Sequence, residues 1–185
     1  MSLRATLALA CLLTAGCLSK GPTVVVNHYT LPLAELEGSP RTGTQALRFD
    51  RVQAPPVLTR SMVWRVSETQ VVADEESEWA VHPADALELR LRDLLFSRGG
   101  YAESLEYSAP LLSVRVVLME GDATAASVAR VHFVADLWGG EGEHHRRHFV
   151  AEEPIEGRSP EILAVAMARA IESSSAELVA WVDAR

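Results

Sequence analysis

LLSVRVVLMEGDATAASVARVHFVADLWGGEGEHHRRHFVA, residues 111–151, decides the fold class. Three runs rich in strand-forming residues follow one another within it: Leu111–Glu120, Val128–Trp138 and His144–Ala151. Gly139-Gly140-Glu141-Gly142-Glu143 joins the last two, and its glycines suit a hairpin turn. Strands this close in sequence pair antiparallel, so much of the sheet is antiparallel or mixed. Directly downstream, Ser159-Pro160-Glu161 opens a helix with a capping serine, a first-turn proline and an acidic first turn. Leu163, Met167, Ala170, Ile171, Ser174, Leu178 and Trp181 share one face of that helix. Ser173-Ser174-Ser175 would weaken it locally, because serine side chains compete for backbone hydrogen bonds.

Upstream, the clearest helix spans Pro83 to the Gly99-Gly100 cap. Ala84, Leu87, Leu91, Leu94 and Leu95 form its apolar stripe, with Glu88 and Arg92 an i,i+4 pair beside it. Leu89 and Phe96 point almost oppositely, which requires either a second layer of the same domain over them or contact with another chain. Before this helix, Val24–Leu31 reads as a strand and Pro32–Gly43 as a loop. Ala46–Gln53 reads as a half-buried strand stopped by Pro55-Pro56, and Met62–Val66 with Gln70–Ala73 as a hairpin around Ser67-Glu68-Thr69. Asp74-Glu75-Glu76 and Glu78 form an acidic patch leading to Trp79. The sum is one α/β domain, a sandwich with a mixed, partly antiparallel sheet of about seven strands and two principal helices, occupying residues 24–185. The helices cover one sheet face or split between two.

The amino-terminal segment is of a different kind. Met1–Arg4 is basic, and Ala5–Leu13 is uncharged and too short for a bilayer span, which needs ~20 apolar residues. With the small-residue exit that follows, this describes a removable signal peptide over residues 1–16. Ala15-Gly16-Cys17 resembles the bacterial lipobox, in which the cysteine is lipidated and becomes the first mature residue; Thr14 stands where that motif usually has Leu. Secretion with cleavage elsewhere and an uncleaved anchor are the alternatives. On the lipobox reading, residues 17–23 are a lipidated cysteine and its tether. The sequence holds two cysteines. Cys11 would leave with the signal and Cys17 would lose its thiol to lipid, so the mature chain must be held together by its core instead of disulfides.

The chain carries a formal charge of −8, from 25 acidic and 17 basic residues. That argues against nucleic acid and against a polybasic membrane patch, leaving acyl chains as the means of attachment. Leu18 in place of Asp after the cysteine omits the inner-membrane retention signal common in enteric bacteria. By that analogy the chain sits on the outer membrane, facing the periplasm.

Motifs for chemistry are scarce. His144 and His148 would share a strand face, but with Arg146 between them and no available cysteine they fall short of the three or four ligands that zinc usually takes. A solvated hairpin strand, or contact with an acidic partner, fits them better. No Gly-x-Ser-x-Gly elbow, P-loop or GxGxxG occurs. The clustered carboxylates read as solvated surface, and core packing is the commoner fate of Trp64, Trp79, Trp138 and Trp181. No catalytic residue, metal or cofactor is expected.

Several segments taken in order resemble the ABC-type transport auxiliary lipoproteins, the PqiC-like family. They are the lipobox Ala15-Gly16-Cys17; Tyr29-Thr30-Leu31, similar to a Tyr-x-Leu; Leu58-Thr59-Arg60-Ser61-Met62-Val63-Trp64-Arg65, similar to a Leu-x-Arg leading into a short strand and a second Arg; and Trp79-Ala80 before Pro83, Ala86-Leu87 and Leu91. Val81-His82-Pro83 departs from the Pro-Leu pair common after Trp-Ala. The resemblance implies a non-enzymatic α/β-sandwich lipoprotein that works with an MCE-domain (MlaD-like) protein and an ABC permease and ATPase in moving lipids between membranes. It also implies assembly as a homo-oligomeric ring. The contrasting reading is an independent lipid- or small-ligand-binding envelope lipoprotein; an envelope enzyme is a third.

Overall fold

The computed structural model describes residues 24–34, 43–124, 127–139 and 142–185. Cys17, the signal segment and the tether therefore lie outside the described residues. The strands are β1 (Asn27–Tyr29), β2 (Gln45–Phe49), β3 (Ser61–Arg65), β4 (Val71–Trp79), β5 (Tyr101–Glu103), β6 (Leu111–Asp122), β7 (Val128–Trp138) and β8 (His144–Pro154). The helices are α1 (Pro83–Arg92), continued by a π-helical turn over Asp93–Ser97, and α2 (Pro160–Asp183). The mixed α/β domain expected from the sequence is present, with one strand more than expected.

β6 is the hub of the sheet. One edge carries β7 antiparallel along its whole length, and β8 follows β7 in the same sense. Its other edge is divided between two parallel partners: β2 lies against its start, Arg48 opposite Leu111, and β3 against its end, Trp64 opposite Gly121. Beyond β3 come β4 antiparallel and β1 parallel to β4; beyond β2 comes β5, also parallel. Gly121 is what lets β3 come so close: a Cβ there would stand 2.6 Å from Cε3 of the fully buried Trp64.

The helices pack on each other over one sheet face. Period-2 alternation sends Leu112, Val114, Val116, Val131, Phe133 and Phe149 to that face, all buried. Phe133 stacks on Phe149 at 5.2 Å, and Trp181 of α2 meets Phe149 edge-on at 5.8 Å. Each such fully buried large side chain contributes ~1.5–3 kcal/mol. Every residue expected on the inner face of α2 is buried, and the three serines do not interrupt the helix. Ser174 Oγ donates to the Ala170 carbonyl at 2.7 Å, so its polar group is met within its own helix.

α1 begins with a histidine cap. The Ala84 amide donates to Nδ1 of His82, and Nε2 of the same ring lies 2.9 Å from the Leu58 carbonyl oxygen. A ring nitrogen that accepts leaves the other to donate, so the neutral ring carries its proton on Nε2 and ties the helix start to the loop before β3. The helix was expected to run regularly to Gly99; it stops as an α-helix at Arg92, and the wider π turn buries Leu95 fully and leaves Leu94 half-buried. Other boundaries also differ. The acidic patch Asp74–Glu78 lies within strand β4, whose two ends are paired, Val71–Ala73 with β3 and Ser77–Trp79 with β1, while Asp74–Glu76 fall at the irregularity between them. β1 is confined to three residues, Val24–Val26 being exposed outside it, and β5 carries no apolar run to announce it.

Candidate docking surface

On the sheet face turned away from the helices polar side chains occupy much of the surface, and the loop Pro55–Leu58 flanks it where β3 meets β6. Arg65 of β3 holds Glu120 of β6 through two hydrogen bonds, of 2.6 and 2.9 Å. Arg130 of β7 reaches Glu120 at 3.6 Å, Asp122 at 3.2 Å and Glu152 of β8 at 2.6 Å. The result is a charge ladder across four strands, β3, β6, β7 and β8, built from positions that alternate with the core residues.

A second group lies toward the other end of β7. Asp136 accepts from Arg146 at 2.7 and 3.2 Å and sits 2.6 Å from Nε2 of His144, whose ring stacks on Trp138 at 3.8 Å. Between the two groups, Nε2 of His132 lies 3.1 Å from Nδ1 of His148.

The electrostatics follow from these contacts. Burial pushes the Asp122 carboxyl up, but hydrogen bonds from the Thr124 hydroxyl and amide, with Arg130 and Arg65 nearby, outweigh it and hold the group below the usual carboxylate range. Asp136 behaves alike: burial raises it, and Arg146 and His144 bring it below its ordinary value. Burial, and then the neighbouring His148, lower His132. Four cross-strand anions and three arginines thus neutralise one another over much of this face.

The residues singled out from sequence fall in different places. Leu89 is 63% exposed on α1, whereas Phe96 packs against the core and tilts onto Phe49 with centroids 6.4 Å apart. The π turn accounts for the separation, because Phe96 lies within it and leaves the helix at a different angle from a residue of the regular helix. His144 and His148 do share the outer face, yet each turns to a β7 partner instead of to the other. Trp64, Trp79 and Trp181 are core; Trp138 is partly exposed. Arg130, His132 and Asp136 of β7 and Glu120 of β6 were not singled out, though the alternation of the first three with Val131, Phe133 and Ala135 was the available signal.

Two concave features adjoin the sheet. A groove of about 240 Å³ is lined by Val57, Leu58, Val63, Val71, Val117 and Leu118 where β3 meets β6. A hollow of about 490 Å³ beside β2 and β5 has Leu47, Tyr101, Leu137 and Val182 among its walls. Among the described residues no three His, Cys, Asp or Glu side chains converge as a metal site would. No described helix is long and apolar enough to cross a membrane.

Solved structures share this architecture. Protein XCC0632 from Xanthomonas campestris, a DUF330 member, superposes with a TM-score of 0.69 at 19% identity, covering 84% of this chain and 94% of its own. A second crystal structure, of an uncharacterized protein, gives a TM-score of 0.65 at 20% identity, with 85% of this chain and 99% of that one covered. At these identities the likeness concerns the fold. No curated protein matches the chain. The family model described as ABC-type transport auxiliary lipoprotein component matches residues 29–179, from Tyr29 of β1 to Val179 near the end of α2. The match takes in β2 to β8, the first helix and most of the second, and the chain belongs to the ABC-type transport auxiliary lipoprotein family.

Proposed function

We propose that this protein is lipidated at Cys17, sits on the periplasmic face of the outer membrane, and acts without catalysis as the adaptor of an intermembrane lipid transporter. Its partners on this reading are an MCE-domain (MlaD-like) protein and the associated ABC permease and ATPase, met by a homo-oligomeric ring of copies of this chain. The family match over residues 29–179 carries the reading. Two features support it. Six residues separate Cys17 from Val24, seven steps that reach at most about 25 Å, so a lipidated Cys17 would keep the domain close to the bilayer while leaving the sheet free to meet a protein. The polar sheet face and the exposed Leu89 on α1 offer surfaces for copies or partners. The test is co-purification of the detergent-solubilised, lipidated chain with the MCE protein encoded beside it. Capture of that protein is the expected result, and reproducible failure with the anchor intact overturns the adaptor. Cys17→Ser should release the chain from membranes; a variant that stays membrane-bound overturns the anchor.

The apolar walls of the 490 Å³ hollow favour a second reading, an independent lipid- or small-ligand-binding lipoprotein, since that volume lies within the ~300–1,000 Å³ usual for small-molecule sites. One lipid per monomer in native mass spectra, retained without any partner, would support it over the adaptor.

A further inference from the structure

β8 is a long sheet edge whose charge pattern fits a second copy of itself. It pairs only with β7, in one unbroken register from Val128 opposite Pro154 to Trp138 opposite His144. The Ile155 amide donates to the Ser127 carbonyl and the Gly139 amide to the Glu143 carbonyl, both at 2.9 Å, so odd-numbered residues are the ones that exchange hydrogen bonds across this register. The amides and carbonyls of His144, Arg146, His148, Val150 and Glu152 therefore point away from β7. All five residues are exposed, and among the described residues nothing pairs with those outward groups.

Edges of this length are ordinarily blunted by a bulge, a proline or scattered charge. β8 has no bulge, and its one proline is its last residue. Its charges are sorted by sign, His144-His145-Arg146-Arg147-His148 at one end and Glu152-Glu153 at the other. A parallel copy would set like against like, whereas an antiparallel copy sets each basic end against an acidic one. Outward groups must meet outward groups, so only even-numbered residues exchange hydrogen bonds across the joint and the register moves in steps of two. Centred on Phe149, Arg146 falls opposite Glu152 of the second copy and His148 opposite its Val150, each twice by symmetry. One step either way sets Arg146 opposite Val150, or opposite Pro154, which has no amide to give.

The centred register also continues a row of charge that the domain already has. Glu120 lies opposite Arg130 and Arg130 opposite Glu152, while Arg146 lies opposite Asp136. Joined at the edge, the row reads Glu120, Arg130, Glu152, then Arg146 and Asp136 of the second copy, with unlike charges at every step. Glu152 and Arg146 remain 46% and 53% exposed beyond the pairs they make within the chain, so both can be shared across the joint. The helix layer leaves room. α2 packs on β7 and β8 alike, which sets its axis half a strand spacing inside the edge, and two such helices face each other at about 10 Å, an ordinary interhelical distance.

We propose that β8 is a self-docking edge, through which two copies of this chain pair antiparallel, centred on Phe149, into one continuous sheet. An isologous contact of this kind closes at two copies, so it stands apart from the ring proposed above and needs neither the lipid anchor nor a transporter partner.

The experiment uses the full chain in detergent with no other protein present. His148→Cys with Val150→Cys places thiols on facing residues whose Cα atoms stand ~5.5 Å apart, within disulfide range, so mild oxidation should link copies in pairs on a non-reducing gel. His144→Cys with Val150→Cys, which this register holds apart, should stay unlinked. Val150→Pro removes an amide that β7 does not use, so it should leave circular dichroism unchanged while halving the particle mass in sedimentation. Linking of the second cysteine pair in place of the first overturns the register. Failure of the first pair to link, or a folded Val150→Pro chain with the wild-type mass, overturns the edge.

Discussion

At position 121 a single hydrogen decides whether two strands can meet. Trp64 lies across Gly121 with ring atoms 2.6 and 2.7 Å from where a Cβ would be, and Cδ1 of Leu163 stands 3.1 Å away on the helix side. The ring is fully buried and cannot swing into solvent. Gly121→Ala should therefore destabilise the domain by ~1–3 kcal/mol, as overpacking of a filled core does, read as a lower midpoint in urea with an unchanged slope. A wild-type midpoint would show that β3 can shift without cost. Nothing local in Met119-Glu120-Gly121-Asp122 announces this role, since the crowding residue comes from another strand. By contrast, Trp64 could be read as core from its place in an apolar strand.

Among the elements, the two helices test different things. Along α1, Leu89 is exposed while Phe96 leans on Phe49 and the core. Leu89→Asp should leave thermal stability of the isolated chain almost unchanged and, if α1 faces a copy or a partner, weaken association. Phe96→Asp should lower the melting temperature by several degrees, because a carboxylate replaces a packed ring. Equal losses of stability from both would place Leu89 in the core as well. In α2, Ser175 is fully buried and its hydroxyl has no hydrogen-bond partner among the described residues. Ser175→Ala removes an unpaired polar group and improves helix propensity, so it should stabilise the domain by about 1 kcal/mol in urea unfolding. A loss of stability would mean that the hydroxyl is satisfied.

The same elements show how far the sequence could be read. α2 and β6–β8 were legible because long segments repeat their pattern many times and their partners are sequence neighbours. The end of α1, the extent of β4 and the whole of β5 were not. The two strands are set by tertiary pairing that overrides local composition: β4 carries through its acidic stretch because its two ends are held, by β3 and by β1, and β5 is three residues held by β2. Of the polar surface, the histidines and Arg146 of β8 stood out, but their β7 partners did not, because pairing across strands depends on a register that only the fold supplies.

The open sheet face of the molecule carries its charge as cross-strand pairs, and acid should undo the fold from there. Asp122 and Asp136 both titrate below their ordinary value of 3.8 in the folded chain. Their contribution to stability is therefore present above that ordinary value and is lost as pH falls through the lower folded values. Unfolding midpoints measured from about pH 5 down to pH 2 should fall steeply in the wild type and less steeply in Asp136→Asn, which starts lower at neutral pH. Parallel curves would show that Asp136 gains nothing from Arg146 and His144 in the native state.

The division of one β6 edge between β2 and β3 also sets an order of events during synthesis. β6, β7 and β8 are consecutive, so that meander can close as soon as it exists, with short loops to order. β2 and β3 are made earlier, yet their shared parallel partner begins only at Leu111. Until then β3 has only its hairpin partner β4 and β2 only the short β5, so Leu47, Phe49, Met62 and Trp64 lack the strands that complete their burial. The nascent amino-terminal half is thus the stretch most exposed to misassociation, and completion of β6 is the step that ends its exposure.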